Sequence, residues 1–206
     1  MSLAVAFGAR SSQHCFRLLL GALANPGLVV EALGPEVRAA GAATVALALA
    51  DIGTPVAIVG DERLAAEVAE ATRAPLVPVS EALLVVMLAP TSELLSQCAR
   101  GSALAPERGA KVGLACQALA ARGADRAPAG NGGQSSTSAC TMACTLQLSG
   151  PGVPGTRRLS VGGLGPDVFG ALRQANAEFP AGVDAWLFDK EGRVAGIPRS
   201  VVLEVS

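Results

Sequence analysis

The sequence predicts an α/β fold: one layered α/β/α domain over 1–206, built on a mixed, mostly parallel sheet. Three observations predict it. Apolar runs rich in β-branched residues alternate along the chain with stretches of helical periodicity. Half of the 206 residues are hydrophobic and only 16% are charged, which is enough apolar surface to offset chain entropy and excludes a disordered chain. A late pair of apolar runs joined by a tight turn adds antiparallel strands to an otherwise parallel pattern.

The elements follow in order. Ser11-Ser12 precede Cys15, Phe16, Leu18, Leu19, Ala22 and Leu23 at helical spacing, and Asn25-Pro26-Gly27 stops that helix. Leu28 to Val30 reads as a short strand. Ala39 to Ala50 is apolar on every face and reads as a buried helix, ended by Asp51-Ile52-Gly53-Thr54-Pro55. Val56-Ala57-Ile58-Val59 reads as a strand buried on both faces. Glu62 to Arg73 sets charges against Leu64, Ala65, Val68 and Ala69, the pattern of a surface helix. Leu83 to Leu88 is a second buried strand, and Ser92 to Ala99 a short helix with Ser92 as N-cap. Pro106 to Gly109 reads as a turn into a strand around Val112 to Cys116. Residues 122–141 form a flexible Gly/Ser-rich insertion around Gly130–Ser138. Strands follow at Thr141–Leu148 and Arg157–Val161, joined through Gly150–Gly155. Pro166 to Glu178 is a helix with Pro in its first turn. The hairpin Val183–Phe188 and Arg193–Ile197 and a last strand Val201–Val205 close the chain. No internal repeat is present.

Composition narrows the chemistry. A formal net charge of -1 provides no basic footprint for nucleic acid. The longest apolar stretch, Ala39 to Ala50, falls short of the ~20 residues that cross a membrane, and Met1 to Gly8 lacks the basic start of a signal peptide. With five Cys and no dense disulfide pattern, the expected location is the cytoplasm. Cys140 and Cys144 have no further ligands at metal or cluster spacing. Tyr is absent, His14 is the single histidine, and Lys111 and Lys190 are the two lysines. That inventory leaves little for a histidine-rich zinc site or a Ser-His-Asp arrangement, and few choices for a Schiff base.

Candidate functional residues are correspondingly few. Gly162-Gly163-Leu164-Gly165 sits between a strand and a helix, where phosphate loops occur, but no βαβ unit follows and a simple turn accounts for it. The Gly130–Ser138 loop lacks the lysine of a P-loop, and no nucleophile elbow exists. Gln13, Arg17 and Gly21 share one helical face, with His14 beside them, reading either as a solvated face or as a polar stripe for an anion or a partner. Arg199 has the fork that holds phosphonate oxygens, or pairs with a carboxylate of the fold; Asp184 reads as a hairpin residue. No catalytic constellation assembles.

Gln13-His14-Cys15-Phe16-Arg17 with Leu19-Leu20 and Asn25-Pro26-Gly27 resembles the opening motif of the PhnH family, the H subunit of the bacterial carbon–phosphorus lyase complex. The resemblance continues through Leu49-Ala50-Asp51 with Thr54-Pro55-Val56, Ala105-Pro106-Glu107 with Gly109-Ala110, and Leu148-Ser149-Gly150-Pro151-Gly152. It ends with Phe179-Pro180, Gly182-Val183-Asp184 and Ile197-Pro198-Arg199, so it spans nearly the whole chain apart from the 122–141 insertion.

The resemblance implies a fold similar to pyridoxal-phosphate-dependent transferases without evident cofactor binding, and a homodimer when isolated. It implies partnership with the G, I and J subunits in forming α-D-ribose 1-methylphosphonate 5-triphosphate from ATP and methylphosphonate. The expected role is a non-catalytic, accessory subunit with no cofactor of its own. Should it contact a phosphonate or nucleotide, Arg17 and Arg199 are the candidate anion ligands, with Gln13, His14 and Asp184 as neighbours. The alternatives are a stand-alone pyridoxal-phosphate- or nucleotide-dependent α/β enzyme, and a homodimeric scaffold without ligand.

Overall fold

The computed structural model describes residues 9–31, 35–122 and 143–205. In chain order these form α1 (Ala9–Ala24), β1 (Val30–Glu31), α2 (Pro35–Ala40), a 3-10 turn (Gly41–Ala43), α3 (Thr44–Leu49), β2 (Val56–Val59) and α4 (Glu62–Thr72). A second 3-10 turn (Val79–Glu81) leads to β3 (Leu84–Met87), α5 (Ser92–Gln97), β4 (Arg100–Ser102), β5 (Ala105–Gly109), β6 (Lys111–Cys116) and β7 (Ala118–Arg122). Then come β8 (Ala143–Ser149), β9 (Thr156–Gly162), α6 (Pro166–Ala175), β10 (Asp184–Asp189), β11 (Arg193–Ile197) and β12 (Val202–Val205). The insertion expected at 122–141, beyond its first residue, lies outside the described residues, as do Cys140 and Met1 to Gly8.

A six-stranded sheet, ordered β1-β11-β10-β6-β3-β2, forms the centre. Strands β2, β3, β6 and β10 run parallel, whereas β11 pairs antiparallel with β10 and β1. The sheet is therefore mixed and mostly parallel, as its apolar runs predict. Side chains alternate between its faces with the strand period of two. On one face Leu84, Val86, Trp186, Phe188 and Val194 pack under α1, the α2–α3 segment and α4. On the other, Val85, Met87, Val112, Leu114, Leu187 and Ile197 pack under α5, α6 and a second sheet. That second sheet is antiparallel, ordered β12-β8-β9-β7. The expected α/β/α layering thus holds on the first face, whereas helices and an antiparallel sheet share the second.

Several local readings change for physical reasons. The Ala39–Ala50 stretch is not one helix: Gly41, at φ +52, breaks it into α2, a 3-10 turn and α3. The break lets the turn cross the sheet closely. A Cβ on Gly113 would lie 2.6 Å from the Ala42 carbonyl oxygen, so only glycine permits this approach. The cap of α5 is Thr91, which is extended and whose hydroxyl accepts from the Leu94 N–H at 3.3 Å. Pro106–Gly109 is not a turn but part of β5, paired with β4; a proline is tolerated there because this two-stranded hairpin is all edge. The first strand sits at Val30–Glu31 instead of Leu28–Val30.

Candidate functional site

A polar cluster lies at the amino ends of the parallel strands, where Lys111 of β6 is in register with Leu84 on one side and Asp184 on the other. Pro198 ends β11 and turns the chain back, so that the Arg199 N–H donates to Asp184 Oδ1 at 2.9 Å. The Arg199 guanidinium then grips the same carboxylate, with Nε 3.1 Å and Nη2 2.7 Å from Oδ2. Its remaining arm, Nη1, donates to the Pro106 carbonyl at 2.7 Å. The two side chains are 11% and 17% exposed, so the pair is largely withdrawn from water. This clasp joins β5, β10 and the turn after β11. A Cβ on Gly109 would lie 2.6 Å from Arg199 Nη1, and the bare backbone there leaves room for the guanidinium.

Lys111 borders the clasp, its Nζ 3.3 Å from the Gly109 carbonyl and 3.4 Å from that of Glu107. Burial, and after it the Arg199 guanidinium, holds its ammonium below the usual lysine pKa, opposed by Asp184 and Glu107. Of the two readings for Arg199, the geometry is that of the carboxylate pair: its donors face Asp184 and Pro106.

The other sequence candidates stand apart on α1. Cys15, Leu19 and Ala22 point into the core, and the Trp186 indole N–H donates to the Leu19 carbonyl at 2.8 Å, fixing the helix to β10. Gln13 and Arg17 are exposed on the outer side, beside Phe16 and Leu20, which are 50% and 56% exposed. His14 is half-buried, and its Nε2 is enclosed without a hydrogen-bond partner. No hydrogen bond or ion pair joins these three residues to Asp184 or Arg199. Asn25-Pro26-Gly27 docks on the second sheet, where Arg157 Nη1 donates to the Pro26 carbonyl at 2.6 Å.

The opposite, carboxyl edge of the parallel strands carries a cleft of about 360 Å³, reached by Thr91, Cys116, Gln117 and Leu164. A wider groove of about 670 Å³ lies between the β4–β5 hairpin and the end of α6, with Arg100, Glu178 and Phe179 on its walls. Gly162–Gly165 forms a plain strand-to-helix turn with Gly165 as the α6 N-cap. At the same edge Asp189 is a buried carboxylate. Its Oδ2 accepts from Arg193 Nε at 2.6 Å and from the Leu119 N–H at 3.0 Å, and Oδ1 accepts from the N–H groups of Glu191 and Arg193.

The sequence places Lys111 only among the choices for a Schiff base and Pro106 only in a turn and a family block, and neither pattern points to the clasp; Asp189 leaves one local signal, its place at the start of a hairpin turn. Among the described residues no group of His, Cys, Asp or Glu is arranged to hold a metal ion, and no helix is long and apolar enough to cross a membrane.

A family model described as the bacterial phosphonate metabolism protein PhnH matches residues 5–204. No curated protein matches the chain. The chain belongs to the PhnH family, and its place is in phosphonate metabolism.

Proposed function

From that membership we propose that the chain is an accessory, non-catalytic subunit of the carbon–phosphorus lyase complex. It would act in the cytoplasm with the G, I and J subunits to form α-D-ribose 1-methylphosphonate 5-triphosphate from ATP and methylphosphonate, and pair with itself when isolated. The observation that supports this reading is the family match over almost the whole chain. The polar clusters agree with it: the Asp184–Arg199 pair and the Asp189 carboxylate satisfy their charges within the fold.

A pyridoxal-phosphate enzyme gains no support from the lysines. Lys111 stands at the amino edge, five residues of strand or about 17 Å from the carboxyl-edge cleft, and Lys190 lies exposed in the β10–β11 turn. Gln13, His14 and Arg17 are the proposed partner or ligand contacts, because α1 shows them beside the exposed apolar Phe16 and Leu20.

The test is reconstitution. The purified chain mixed with the three partner subunits is expected to co-elute as one species in gel filtration, and alone to consume neither ATP nor methylphosphonate. Arg17→Ala is expected to weaken the complex while leaving the unfolding midpoint unchanged. Separate elution, or turnover by the isolated chain, would overturn the proposal.

A further inference from the structure

We propose that the cleft at the carboxyl ends of β3 and β6 binds a small uncharged ring compound of nucleoside size, and does not bind an anion. Position is the first argument. The cleft opens just past the carboxyl ends of two adjacent parallel strands, where Leu88 follows β3 and Cys116 ends β6, so main-chain groups of both strand ends border it. Size is the second. About 360 Å³ lies at the small end of ligand sites, room for one or two rings and not for an extended polymer.

Chemistry is the third argument, and it selects the ligand class. The lining residues carry no charge; Leu88 and Pro90 offer apolar surface beside the buried Leu164, and the Thr91 hydroxyl and Gln117 amide groups also line the cleft. A phosphonate or phosphate moved there would lose hydration without gaining a cation, which is unfavourable. A ring with apolar faces and a hydrogen-bonding edge loses far less and matches both kinds of wall. Thr91 supplies a defined donor. Its oxygen already accepts from the Leu94 N–H, so its own proton is left for a ligand acceptor.

The walls are also fixed in advance, which lowers the ordering cost of binding. The Leu88 N–H donates to the Val59 carbonyl at 3.0 Å, and the Gln117 N–H to the Gly162 carbonyl at 2.8 Å.

This site shares no residue with the clasp or with α1 and stands independently of complex membership, since reconstitution reads one and titration of the lone chain the other. The full chain, labelled with nitrogen-15, is titrated separately with adenosine, uridine, methylphosphonate and inorganic phosphate. Adenosine or uridine is expected to shift the backbone amides of Thr91, Gln117 and Gly163, and the two anions to leave them in place. Thr91→Ser keeps hydroxyl and helix cap and retains binding. Thr91→Asp keeps the cap but brings a charge and no donor, and weakens nucleoside binding by about tenfold or more. The proposal fails if neither nucleoside moves these amides at millimolar concentration, if the anions move them instead, or if Thr91→Asp binds like the parent chain.

Discussion

Replacing Arg199 by Met keeps the unbranched stem of the side chain and removes its charge and donors. The Asp184 carboxylate, 17% exposed, then retains one donor from this partner, the backbone N–H of residue 199. Breaking a buried pair by deleting one member costs about 3–5 kcal/mol. The low end applies here, because some water reaches Asp184 and Lys111 is the next cation along the strand edge. A loss of about 3 kcal/mol in a chain of this size lowers the melting midpoint by roughly 6–12 °C. Urea unfolding followed by the fluorescence of Trp186, the single tryptophan, two residues along β10 from Asp184, measures it. Adding Asp184→Asn to Arg199→Met removes the stranded charge, so the double variant recovers about 1–3 kcal/mol relative to additivity. A loss below about 1 kcal/mol for Arg199→Met, with Asp184→Asn purely additive, would refute the clasp as a structural element.

Further outcomes at three residues follow from packing and burial. Gly113→Ala drives a Cβ against the Ala42 carbonyl, which cannot swing aside, and is expected to cost about 1–3 kcal/mol in urea unfolding. Gly21→Ala, on α1 with open space around its Cβ, gains about 0.5–1 kcal/mol in the same assay. Burial pushes the Cys98 thiol from 9.0 up to about 11, so at pH 8 the native chain holds about a hundredfold less thiolate there than an ordinary thiol. Iodoacetamide should label it only after unfolding. Because the folded pKa is the higher one, the Cys98 contribution to stability is intact below pH 9.0 and declines between there and about 11. A comparison of Cys98→Ala with the parent across that range reads the decline directly.

The parts of the fold legible in the sequence are those where local pattern and tertiary demand agree. Val56–Val59 and Leu84–Met87 are β-branched or aliphatic throughout because both faces of their sheet are covered, and α1 announces itself by its spacing and its Asn-Pro-Gly stop. Strand β7 is the opposite case. Ala118–Arg122 is alanine-rich with no β-branched residue, and pairing with β9 alone makes it a strand. The second sheet therefore stayed hidden as a unit. At the candidate site, Arg199 and its two readings were visible, but the choice between them rests on Asp184, 15 residues upstream, and on Pro106, 93 upstream. No periodicity encodes such distances.

Strands β6 and β7 are separated by Gln117 alone, yet one lies in the central sheet and the other in the second. A single unbroken run of chain is thus shaft to both, and the Asp189–Leu119 hydrogen bond keys it against rotation. A displacement of β7 is therefore handed straight to Cys116 at the end of β6, with no loop between them to absorb it.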